Sequence, residues 1–417
     1  MYLTVTHPPP KANKAMKSHK TAFGVRRTQK SDSGPFLVPR RIQNLLNYQS
    51  ALARTMYKIF LPAQIAGVLP LILIENQAKL SFIVLLFSAV GQFIVSSVIF
   101  YKAAKLFLAG VSSSSNTTPM LKNGIGALNY AEEAAKTITV MYVLISTITF
   151  CMYRRKFASI IRRVITVKVL TSQIGLDPPL RARWLPMMLH VPLAMAAIIE
   201  FHNAREISTV LSLVVRYSCE IMVGTIVVFF IQLLYLVEST LGYLNDHLLK
   251  LTTTDHPDKY KKLSVMSDCH HHLCSACHFI NTFHSFPLLF LYFSVFVNLV
   301  VLIFKTISVL ASLSLTGILT FGTVLTSYIA RSWYVVYICS RTSDQTKLFN
   351  KNLFEMILFD PTEESTVYVK KLMLHLEMKR EFEFHAKGFF TVDYPLLHSI
   401  AAVATSYLVI LVQTSNK

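Results

Sequence analysis

Charge is scarce in this chain. Only 15% of its 417 residues are Asp, Glu, Lys or Arg, against roughly 25% in soluble globular proteins. That deficit excludes an ordinary soluble enzyme and a disordered chain. Acid is scarcer than base, with 22 Asp+Glu against 41 Lys+Arg. In a soluble protein such an excess points to nucleic acid; in a membrane protein it marks cytoplasmic loops. The six cysteines lack regular spacing, which excludes a disulfide framework. Glycine never gathers into a phosphate-binding loop, and no nucleophile–base pattern stands out. Residues 1–41 carry Lys11, Lys14, Lys17, Lys20, Arg26 and Arg27 with no apolar run, so they read as a cytosolic tail rather than a signal peptide. The sequence thus predicts neither enzyme nor nucleic-acid binder, with no catalytic residue, no cofactor and no metal.

What is abundant is apolar sequence: 53% of residues are hydrophobic and mean hydropathy is +0.47. Apolar stretches lie near 56–74, 81–101, 137–153, 184–201, 213–237, 285–307, 311–339 and 394–413. The first is broken by Pro62 and Pro70 and carries Lys58. Proline inside a helix removes a hydrogen bond, so 56–74 reads as an interfacial or re-entrant element before the first span. The other seven have the length to span a bilayer. With the N-terminus inside, segments 1–80, 154–183, 243–284 and 340–387 are cytoplasmic and hold 32 of the 41 Lys+Arg. The positive-inside rule therefore predicts N-inside, C-outside. Asn116–Thr117–Thr118, a glycosylation sequon, falls in the first outside loop.

Several helices outrun the bilayer. Leu241, Leu244, Leu248 and Leu249 recur at helical spacing beyond the span at 213–237. Segment 263–307 starts polar and turns apolar, and 367–388 is read as an amphipathic helix containing Leu372 and Leu376. Apolar stripes need a partner, so these extensions predict a packed cytoplasmic anchor layer. The predicted fold is an all-α membrane protein of seven helices in three parts. Residues 1–80 form the tail and pre-span segment, 81–366 form spans one to six with an outer pocket, and 367–417 form the anchor helix and last span.

The end of the chain reads GFFTVDYPLLHSIAAVATSYLVILVQTSNK. Ser399, Ser406 and Gln413 recur every seven residues along its helix. Such a stripe can line a watery path or hydrogen-bond to neighbouring helices; periodicity leaves both open. This stretch resembles the insect gustatory receptor signature. The matching residues are Gly388, Phe390, Val392, Asp393, Leu396, Leu397, Ser399 and Ile400, then Tyr407 and Gln413 flanking five apolar residues. Ser406 stands where the family has Thr, and Thr414 where it has Phe. The resemblance implies a tetrameric ligand-gated cation channel, as homotetramer or heteromer, in the plasma membrane of chemosensory neurons. It implies that the last helix lines the pore, with Ile410 as apolar gate, Val409 its rival, and Gln413 and Ser406 along the path. Its partners would be a small-molecule tastant, permeant cations and lipid.

By the same resemblance the ligand pocket lies among the outer halves of spans two to six. Polar and aromatic residues there include Tyr142, Glu200, His202, Tyr217, Glu220, Asn298 and Phe321. Glu200 and Glu220 stand out, because carboxylates near a membrane are costly. They would bind hydroxyls or a cationic amine, or, as interfacial acids, reach water or pair with Arg205 or Arg216. DCHHHLCSACHF, from Asp268 to Phe279, carries a Cys274-x-x-Cys277 spacing that suggests zinc. It lacks a second paired set, so it reads as a helix interior instead. The favoured function is a channel opened by a non-volatile tastant, bitter or unassigned. A fructose-type sugar receptor shares the Tyr407–Leu411 run, and a G-protein-coupled heptahelical receptor would place the N-terminus outside, against the charge count. A secondary transporter would show internal repeats, and none is evident.

Overall fold

The computed structural model describes residues 71–74, 77–80, 97, 101, 124–178, 185–204, 206–252, 259–309, 315–359 and 382–415. All belong to one compact unit, Asn44–Lys417. Asn116, Leu372 and Leu376, and most of the first predicted span, lie outside the described residues.

Seven α-helices occur among the described residues. They are α1 (Gly124–Met152), α2 (Arg154–Gln173), α3 (Val191–Asn203), α4 (Ile207–Thr252), α5 (Lys259–Val309), α6 (Leu315–Phe359) and α7 (Tyr394–Ser415). Of these, α1, α4 and α5 are long and apolar enough to cross a membrane by length and composition. The six predicted spans after the first fall on α1 and α3 to α7. The third begins as a 3-10 helix, Leu185–His190, before α3; Pro186 and Pro192 deprive this entry of two backbone donors.

Helix α4 is the axis of the bundle. Every residue from Val223 to Glu238 is buried, as expected of a helix apolar on all sides. It packs on α1, α3, α5 and α6. The basic helix α2 follows α1 after a break at Tyr153 and turns Phe157, Ile160, Ile161, Val164 and Val167 into the same core. The extensions of α4 and α5 beyond their apolar spans bury Leu241, Leu244, Leu248, Leu263 and Leu273 together, so a packed layer exists within the chain, while Leu249 of the expected stripe is exposed. Polar locks join it to α6: Arg341 Nε donates to Glu238 at 2.6 Å, and Asn245 Nδ2 donates to the Gln345 side-chain oxygen at 2.7 Å.

Two short hairpins interrupt the helical pattern, and the second corrects an expectation of helix. Leu71–Ile74, at the end of the pre-span segment, is strand β1, paired antiparallel with β2 (Gln77–Leu80). β-branched Ile72 and Ile74 favour a strand. Residues 382–388 are not helical either. β3 (His385–Ala386) pairs with β4 (Phe390–Thr391) in a hairpin whose turn puts Lys387 and Gly388 at φ of +55° and +82°. The FEFHA alternation buries Phe384 and Ala386, a period of two that belongs to strands. Asn281 Oδ1 accepts from the His385 amide at 3.1 Å, which pins the hairpin to α5.

Candidate functional site: a charged cavity and an uncovered helix face

At the end of the bundle away from the hairpin, α1, α3, α4, α5 and α6 enclose a cavity of about 810 Å³. Four of the sequence-selected residues line it: Glu200, Glu220, Asn298 and Phe321. Tyr142 and Tyr217 do not. Tyr142 is buried in the main core. Tyr217 is buried among Leu193, Ala196, Val324 and Tyr328. His202, on the last turn of α3, is exposed.

The carboxylates are engaged. Glu220 accepts from the Tyr328 hydroxyl at 2.7 Å and from Arg331 Nη1 at 2.9 Å. Arg331 is only 2% exposed. Its Nε and Nη2 have no hydrogen-bond partner among the described residues. Gly224 makes room here: a Cβ on it would lie 2.6 Å from His190 Cε1 and 3.6 Å from Arg331 Cζ. Glu200 pairs with Arg216, whose Nη1 lies 3.4 Å from both its oxygens. Asn298 Nδ2 donates to Thr139 Oγ1 at 3.2 Å and to the Ser294 carbonyl at 2.8 Å, tying α5 to α1.

Sequence reasoning missed several lining residues. Glu132, Glu133 and Lys136 enter from α1, Lys305 from α5 and Tyr328 from α6. Arg331 had a signal, since a cation within an apolar span is expensive and needs a partner. Tyr328 had none, because a tyrosine in such a span packs equally well without an acid.

Helix α7 has two distinct sides. Leu396, Leu397, Ile400, Ala404 and Leu408 face the chain's own core, while Ser399, Ser406, Val409, Ile410 and Gln413 are exposed. Tyr407 meets Phe296 edge to face at 5.9 Å. Gly388 and Asp393, singled out by the family signature, build the entry to this helix. Gly388 occupies the left-handed position of the turn, and Asp393 Oδ1 accepts from the Leu396 amide as a helix cap.

The Cys/His stretch lies in the polar half of α5, beyond its apolar span. Cys274 Sγ sits 3.4 Å from His270 Nε2, and the His270 ring stacks on Phe349 at 4.2 Å. Burial, with Asp268 adjacent, pushes the Cys269 thiol up to about 12. No three His, Cys, Asp or Glu among the described residues gather as a metal site.

A family model described as 7tm chemosensory receptor matches residues 59–416. The chain belongs to that family. No curated protein sequence matches it. Among solved structures, the receptor resembles insect olfactory receptor OR5 from Machilis hrabei, with a TM-score of 0.60 and 13% identity over 89% of this chain and 100% of that one. OR5 in complex with eugenol matches with a TM-score of 0.57, also at 13% identity over 89% of this chain and 100% of that one. At this identity the likeness is one of fold, and it is the seven-helix membrane fold expected from the apolar stretches. The family is one of receptors rather than enzymes.

Proposed function

We propose that the receptor is a gustatory, ligand-gated, non-selective cation channel, opened by a non-volatile tastant held in the 810 Å³ cavity. The tastant is bitter or as yet unassigned. In this reading the N-terminus is cytosolic, the cavity faces outward and the hairpin faces the cytosol, in the plasma membrane of chemosensory neurons. Four subunits, alike or mixed, surround a pore lined by α7, and 367–417 serves as anchor and pore unit.

The observation that carries the reading is the division of α7. Its apolar ridge from Leu396 to Leu408 is turned inward, and the stripe of Ser399, Ser406 and Gln413 is exposed beside the other described helices. Polar groups facing lipid would be costly; around a shared axis they meet water and ions. Ile410, on nearly the same face, supplies an apolar ring that closes the path by dewetting, with Val409 beside it.

Expression as the sole receptor in cultured cells, with current recording over a panel of non-volatile compounds, tests the proposal. A reversible inward current carried by both Na⁺ and K⁺, without G-protein supplementation, is expected. Responses that require a G protein and carry no receptor-linked conductance would refute it.

A further inference from the structure

The ion pairs around the cavity restrict what it can hold. Glu132, Glu133, Glu200 and Glu220 line it, and each has a base at hand. Lys136 Nζ is 2.8 Å from Glu133 and 3.1 Å from Glu132, and Lys305 Nζ is 2.8 Å from Glu132. Arg216 lies against Glu200, and Arg331 against Glu220. Four acids therefore face four bases. A charged ligand entering this site would lose its hydration. It would find each opposite charge already engaged, or would have to separate a pair and strand one partner.

We infer that the cavity selects an uncharged ligand bearing several hydrogen-bonding groups, and that it rejects ammonium and carboxylate ligands. The inference rests on the cavity being the ligand site of the proposed function. An uncharged ligand leaves each pair intact. Its hydroxyls donate to remaining carboxylate lone pairs, since an ionised carboxylate accepts about four hydrogen bonds. Thr209, Thr306 and Thr320 add hydroxyls to the wall, and Leu302, Phe321 and Val324 supply apolar surface for a ligand's hydrocarbon face.

The test is binding to purified full-length receptor, read by isothermal calorimetry with three probes on one skeleton: benzyl alcohol, benzyltrimethylammonium and benzoate. Benzyl alcohol should bind wild type at least about tenfold more tightly than either ion. Arg216→Gln leaves Glu200 without its countercharge and should gain about tenfold for benzyltrimethylammonium. Glu200→Gln should gain similarly for benzoate. Benzyl alcohol should gain affinity from neither change. The two variants are reciprocal, so one suffices if the other misfolds. Either ion binding wild type as tightly as the alcohol, or neither variant gaining its ion, would overturn the inference. So would tightest binding by a zwitterion such as phenylalanine. The assay needs no gating: an absence of ligand-evoked current with this binding pattern intact would sink the channel reading alone.

Discussion

Asp393 caps the helix that begins beside it: its Oδ1 accepts from the Leu396 amide at 3.2 Å, while Oδ2 accepts from Thr391 Oγ1 at 2.7 Å. One carboxylate thus ties the hairpin strand β4 to the first turn of α7. Asp393→Ala should cost about 1 kcal/mol, the usual worth of such a cap. Thermal unfolding of purified receptor should show the loss, and Asp393→Asn should recover most of it. Equal losses in both variants would mean that charge rather than the cap matters.

Gly388 sits at φ +82° with no neighbour within 4 Å of the place a Cβ would take. Gly388→Ala is therefore penalised by backbone conformation alone, by about 1 kcal/mol. A lowered melting temperature with a normal fold is expected. An unchanged melting temperature would show that the turn can rearrange.

The Glu220–Arg331 pair is buried on both sides. Removing one partner of such a pair costs about 3–5 kcal/mol, because the other charge is stranded. Arg331→Met and Glu220→Gln should each reduce surface expression severely. The double variant should regain a substantial part of it. Double-variant losses equal to the sum of the singles would show that the two groups act independently.

For the gate, Ile410→Ser should give a basal cation leak without ligand, read as current per receptor at the cell surface. Ile410 is 54% exposed on α7, while Leu408 is half-buried. Leu408→Ser should therefore leave basal current per surface receptor unchanged. The reverse result would place the pore on another face of the helix.

Reporter fusions after residue 41 and within 154–183 should both read cytosolic, as the 32 inside Lys+Arg require. An extracellular signal at either position would invert or break the seven-span topology.

The long helices were legible because apolar runs at 213–237 and 285–307 are unmistakable and their polar continuations keep helical spacing. The hairpin before α7 was hidden by the amphipathic stretch ahead of it. The alternation of Phe382, Phe384 and Ala386 is a two-residue period only three repeats long, and Lys387 at positive φ carries no strong sequence mark. At the cavity, Glu200 and Glu220 could be picked out as costly acids. Arg216, 16 positions from Glu200, could be named only as one of two candidate partners, and Arg331, 111 positions from Glu220, was not paired with it at all. Which helices face each other decides those pairings, and periodicity within a helix is silent on that.

Pro287 lies inside α5, between the residue that holds the hairpin, Asn281, and those that reach the cavity, Asn298 and Lys305. Lacking an N–H, it leaves the Phe283 carbonyl without its ladder bond, so the helix is most compliant over that single turn. Lys305 stands 18 residues further on, roughly 27 Å at 1.5 Å per residue. Each degree of bend at the proline therefore sweeps the cavity wall by about 0.5 Å at Lys305, while the arm bonded to the hairpin stays still. The 51-residue helix is in mechanical terms two levers sharing one soft joint.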